Sequence, residues 1–162
     1  MTASNLAGLI GLILGGLILG AALSALLLLG QLVFPRLVAR AQQTAERMPG
    51  RALVVGLINF IFFGVLAVAL SSRGPILGLL AGLVFTALCS GVALGLSAIA
   101  GLVGARLRPG DPHPSRQLVA GALLLELAAL VPVVGWLAVP ALAGLIGLGA
   151  TLIALVGYRR SP

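Results

Sequence analysis

The sequence contains no lysine, and all ten of its basic residues are arginine. Acidic residues number three, and charged residues of both signs make up only 8% of the 162 positions. Soluble domains carry about 25% charged residues, so this chain has too little polar surface to cover itself in water. The single cysteine, Cys89, excludes an intrachain disulfide framework and a thiolate metal cluster. The single histidine, His113, beside one carboxylate, Asp111, makes a poor metal site, and no cofactor is expected. The opening MTASNLAGLI has no basic residue of the kind that begins a secretory signal, and the apolar run behind it is too long for a signal core. The first segment is therefore expected to stay in the mature protein.

What the chain has instead is apolar length. Hydrophobic residues are 60% of it and glycine adds 23 more. Apolar runs above about 18 residues recur, each able to cross about 30 Å of hydrocarbon. Lipid requires backbone groups to be satisfied within a helix or a closed barrel, and these runs lack the strict polar alternation of barrel strands. The expected fold is all-α, a polytopic transmembrane helical bundle of five spans in one domain, with a short interfacial helix after the first span.

The spans are expected at 6–34, 52–71, 76–107, 118–131 and 138–158, with polar links at 35–51 and 106–117. The run 76–107 follows a tight SSRGP turn (Ser71–Pro75) and reads as one tilted helix, because its 32 residues exceed one crossing and fall short of two. Pro109, Pro112 and Pro114 keep the second link from forming a regular helix. The fourth span is short, about 20 Å of helix. VPVVGW then offers a turn at Pro132 and Gly135, with Pro140 in the first turn of the last helix.

Charge settles the span count. Five spans put Arg36, Arg40, Arg47, Arg51, Arg106, Arg108, Arg116, Arg159 and Arg160 on one side and Arg73 alone on the other. The positive-inside rule makes the first side cytoplasmic, with the N-terminus outside and the C-terminus inside; Trp136 and Tyr158 then fall at the outer and inner boundaries. Because the basic residues flank spans, anionic lipid is the expected partner and nucleic acid is not. The all-arginine basic set and the Leu/Ala/Gly bias point to a GC-rich bacterial genome, hence to the bacterial inner membrane. In the first link Arg36, Arg40, Gln43 and Arg47 recur at helical spacing, with Leu37, Ala41, Thr44 and Met48 on the neighbouring face, as in a helix lying on a membrane surface. With Arg51, this link is either a docking site for lipid or a protein partner, or a basic loop that sets topology.

Few side chains inside the spans could carry chemistry. Glu126 is the only acidic one and must face protein or water. It is either part of a proton or ion relay or a hydrogen-bonded tie between helices. The lack of any Asp, His or basic residue in the spans favours the tie. Counting about 1.5 Å per residue from the cytoplasmic ends brings Asn59, Ser90 and Thr151 to a similar depth, so a buried polar layer of Glu126, Asn59, Ser90 and Thr151 is expected. Gly11 and Gly15, Gly16 and Gly20, Gly78 and Gly82, and Gly91 and Gly95 have small-xxx-small spacing. They mark either a homo-oligomer interface or packing within one bundle. Gly95-Leu96-Ser97 has the G-x-S form seen in serine proteolysis within membranes, but no base lies near it in the spans, and no enzyme is expected.

Three stretches form a recognisable set: FPRLVARAQQTAERMPGRALVVGLINFIFFG (Phe34–Gly64), GPILGLL (Gly74–Leu80) and LLLELAALVPVVGWLAVPALAGLIGLGA (Leu123–Ala150). They carry a basic link ending in Pro-Gly-Arg before a span, a Gly-Pro opening of the next, and a Val-Pro-x-x-Gly turn near the end. Together they resemble a bacterial membrane domain that accompanies bactofilin-like, polymer-forming cytoskeletal domains. The chain departs from that pattern in having no β-helical bactofilin repeat. The resemblance implies a membrane anchor or scaffold without its own polymerising module, and it supplies no catalytic residue. The expected function is thus a non-enzymatic scaffold or anchor whose arginine-rich cytoplasmic face meets anionic lipid, a cytoskeletal partner or another membrane-complex protein. The alternative is a small transporter or channel subunit using Glu126.

Overall fold

Proline opens four of the six helices. Its missing N–H costs nothing in a first turn, and its fixed φ suits that position. In the computed structural model, which describes residues 3–129 and 134–158, the helices are α1 (Ala3–Val33), α2 (Pro35–Arg47), α3 (Pro49–Ser71), α4 (Pro75–Leu107), α5 (Pro114–Ala129) and α6 (Val134–Tyr158). No strand occurs among the described residues. Side chains are described for 20–128 and 141–157, and for Leu14 and Ile18.

The all-α expectation holds, and several boundaries follow the sequence. α4 is one unbroken helix of 33 residues, about 50 Å long. Gly74, at φ 118°, makes the turn before it in a conformation that an L side chain rarely adopts. At Pro35 the chain turns sharply, and α2 leaves the end of α1 at 106°.

The span count is less than expected. Among the described residues only α3 and α4 are each long and apolar enough to cross a membrane, and the end of α1 with α2 qualifies as one bent pair. α5, with 16 residues, reaches about 24 Å, and α6 has 25 residues, of which Ala141–Gly157 carry described side chains. α6 starts earlier than expected, at Val134, so Pro140 lies within it instead of opening it. The turn at Pro132, Arg159 and Arg160, and the side chains of Trp136 and Tyr158 lie outside the described residues.

Packing is by small residues. Among the described residues, eleven of the sixteen buried hydrophobic ones are alanine, while Ile58, Phe62, Val65 and Val68 on α3 and Ile76, Leu79 and Leu83 on α4 are mostly exposed. A water-soluble core has the opposite arrangement, with large side chains inside. α3 and α6 run antiparallel and meet where a Cβ on Gly56 would strike the backbone of Leu145 and Gly149, and one on Gly149 the backbone of Ala52 and Gly56. α4 and α6 run side by side in the same direction through Gly95 and Gly147. α4 and α5 are antiparallel, with Gly104 on Gln117 and Gly121 on Ala100. Without a hydrophobic driving force between helices in lipid, such close backbone approach is what supplies dispersion energy.

Candidate functional site

α2 decides the character of one end of the bundle. Its residues Val38, Ala41 and Ala45, spaced three and four apart, are buried against Ala52, Ala98, Ala150 and Ala154 from α3, α4 and α6. The helix is therefore amphipathic as expected. Its buried stripe, however, is Val38, Ala41 and Ala45, whereas Leu37 and Thr44 are half-buried and Met48 is exposed. It packs on protein, under the ends of α4 and α6, with Gln42 against Gly101.

This placement gathers arginines. Arg36 and Arg47 are exposed on α2, Arg40 is half-buried there, and Arg51 sits in the first turn of α3 with a guanidinium N–H reaching Met48 Sδ at 3.6 Å. Arg106 at the end of α4 meets Glu46 of α2 at 3.5 Å. Both side chains are more than half exposed, so the pair contributes little. Arg108 and Arg116 follow in the link to α5 and its first turn. Seven described arginines thus share one end, and Arg73 lies at the far end of α3, about 30 Å away along that helix.

The link between α4 and α5 is an ordered turn. Gly110 takes φ 88°, Asp111 Oδ1 accepts the His113 backbone N–H at 3.0 Å, and Gln117 Nε2 donates to the Asp111 carbonyl at 2.8 Å. His113 Nδ1 stands 3.4 Å from Asp111 Oδ1, and Arg108 stands 3.9 Å from Oδ2. The His113 backbone N–H, helped by the His113 ring and the charge of Arg116, holds the Asp111 carboxyl below its ordinary value.

Inside the bundle the expected polar layer does not assemble. Glu126 Oε1 accepts a hydrogen bond from Ser24 Oγ of α1 at 3.2 Å, and its carboxyl lies against Gly20. Asn59 donates to Val55 O at 2.8 Å, Ser90 to Thr86 O at 2.8 Å and Thr151 to Gly147 O at 2.9 Å, each within its own helix. The carbonyl four residues back is always within reach, and α3 and α5 do not pack on each other. Equal depth does not make helices neighbours. Ser24 was missed; its spacing from Gly20 on one face of α1 is the only sequence signal that could have found it.

Ser97, fully buried, donates to Leu27 O at 3.1 Å and to Ala93 O at 3.0 Å, so the G-x-S hydroxyl ties α4 to α1. Of the glycines singled out by spacing, Gly91 and Gly95 lie at the α4–α6 contact, whereas Gly11, Gly15, Gly78 and Gly82 have nothing within 4 Å of a Cβ position among the described residues. The crossings use Ala52-x-x-x-Gly56 and Ala100-x-x-x-Gly104 as well, which become visible in the sequence once alanine is admitted as the small residue.

With this geometry in view, no protein-family model matches the chain, and no curated protein or solved structure matches it.

Proposed function

We propose that the protein is a non-enzymatic integral membrane anchor or scaffold that presents an arginine-rich face to the cytoplasmic surface of the membrane. The observation that carries this reading is the segregation of arginine, seven described residues at one end of a bundle whose large apolar side chains point outward. Arginines at one end set orientation during insertion, and at an anionic surface each contributes about 1 kcal/mol of attraction. In the finer form of the proposal α1, α3, α4, α5 and α6 each cross, with α5 thinning the bilayer around it, the N-terminus outside and the C-terminus inside. The alternating direction of α3, α4, α5 and α6 supports this topology. Arg36, Arg47 and Arg51 form the docking face for anionic lipid or for a cytoskeletal or other protein partner, with α2 held in place by Val38, Ala41 and Ala45.

Reporter insertions after Gly110 and in the Ser72–Arg73 turn test the orientation. The first should read cytoplasmic and the second external, and the reverse would overturn it. Replacing Arg36, Arg47 and Arg51 with Gln should weaken retention of anionic lipid or of a co-purifying partner in mild detergent. Unchanged retention at low salt would reduce the arginines to a topogenic role.

A further inference from the structure

We infer that the groove between α1 and α5 at the arginine-rich end binds one anionic phospholipid. The groove has a volume of about 260 Å³ and is built in two halves. Its mouth carries Arg108, Ser115 and Arg116, and its wall is Leu28 from α1 with Ala120 and Leu123 from α5. Arg116, Ala120 and Leu123 fall at i, i+4 and i+7, one stripe of α5. The opposite stripe, with Leu118 and Ala122 buried, packs on the Ala100 region of α4. From Ser115 to Leu123 the helix rises about 12 Å, so the groove passes from two guanidinium groups to a purely apolar surface along the direction a lipid takes from headgroup to acyl chain.

The chemistry selects the occupant. Two guanidiniums face one nearby carboxylate, Asp111, at 3.9 Å from Arg108, which leaves the mouth net positive. Planar guanidiniums bind phosphate oxygens in pairs, and the Ser115 hydroxyl adds a donor. A soluble anion would leave the apolar wall unused, and a neutral lipid would leave the arginines unused. Basic pockets between helices on the cytoplasmic side are where anionic headgroups bind. The inference therefore rests on the proposed orientation, although the binding itself can be measured without it.

The test is native mass spectrometry of the full chain in mild non-ionic detergent, titrated with phosphatidylglycerol or phosphatidylcholine. One phosphatidylglycerol should bind first, at least about tenfold more tightly than phosphatidylcholine. Arg108→Gln with Arg116→Gln should weaken it about 30-fold, from about 1 kcal/mol for each basic residue. Ala120→Trp, which fills the groove without changing charge, should abolish this first binding, and Arg73→Gln, at the far end of α3, should leave it unchanged. Phosphatidylglycerol with a photoreactive acyl chain should label Leu28 or Leu123 in the unmodified protein, a readout that needs no variant to fold. Equal binding of the two lipids, wild-type binding by Ala120→Trp, displacement by glycerol phosphate, or labelling confined to α3 would each overturn the inference. A reporter after Gly110 that reads external would overturn the proposed orientation and leave a positive lipid measurement standing.

Discussion

The two ends of the bundle use the same residue type for different purposes. At the arginine-rich end glycines lie where one backbone meets another, at Gly104 on Gln117 and Gly121 on Ala100, with Gly56 and Gly149 in contact further in. Toward the other end Gly78 and Gly82 of α4, and Gly11 and Gly15 of α1, have no described atom within 4 Å of a Cβ position. Small residues four apart occur in both sets, at Ala52 and Gly56 and at Ala100 and Gly104 in the first, and at Gly78 and Gly82 and at Gly11 and Gly15 in the second. What differs is the neighbour: α2, α5 and the end of α6 close around the first set, and nothing described does so around the second. One end is a locked junction, and at the other the glycines meet no described neighbour.

The comparison can be broken most directly at the crossings. Gly149→Leu should drive α3 from α6 and cost about 3 kcal/mol or more, as overpacking against backbone that cannot yield, with loss of monodisperse protein on size exclusion. Gly82→Leu should leave the elution and thermal midpoint unchanged, and equal damage from both variants would erase the distinction. Next in size, Ala41→Leu should cost about 2 kcal/mol by levering α2 away from Ala98 and Ala150. The exposed neighbour Ala39→Leu should be tolerated, and protease cutting within 35–47 would report the release.

A smaller effect is expected where α1 leans on α5. Ser24→Ala should cost about 1 kcal/mol by removing the donor to Glu126, whereas Glu126→Gln should stay close to wild type because a carboxamide can accept the same bond. Loss of a proteoliposome ion flux in Glu126→Gln with its thermal midpoint kept would favour the transport alternative. At the open end Gly78→Ala should raise the thermal midpoint slightly, since alanine in a helix is favoured by about 0.5–1 kcal/mol. A fall would mean that something packs there.

The smallest effect is electrostatic. The Asp111 carboxyl lies below its ordinary value chiefly because of the His113 backbone N–H. Its contribution is therefore complete above the unfolded pKa of about 3.9 and disappears as pH falls through the lower folded value. The difference in thermal midpoint between the wild type and Asp111→Asn should shrink below about pH 4. A difference that stays constant down to about pH 3 would show that the turn at Gly110 does not depend on this charge.

Much of the fold could be read from residues alone where a local rule applies. Pro35, Pro49, Pro75 and Pro114 mark helix starts because proline fits only a first turn without cost, and the run from Ile76 to Leu107 is one helix because nothing in it interrupts the backbone bonds. The start of α6 was less legible. Pro140 looks like an opening residue but lies inside the helix as the seventh residue of α6, where its missing N–H forgoes the bond to the carbonyl four residues back. Glu126 was recognisable as a residue needing a partner, yet depth along an axis says nothing about direction around it, and its donor came from Ser24 on α1 in place of Asn59, Ser90 or Thr151.

The sequence by itself determined the solvent, the helical class and the separation of arginine from Arg73, since these follow from composition and from the order of residues along the chain. Only the tertiary structure decided which helices are neighbours. That choice depends on where backbones can approach within contact distance, at Gly56 and Gly149, Gly95 and Gly147, and Gly104 and Gln117, and a glycine's spacing is the same whether or not another helix arrives to use it.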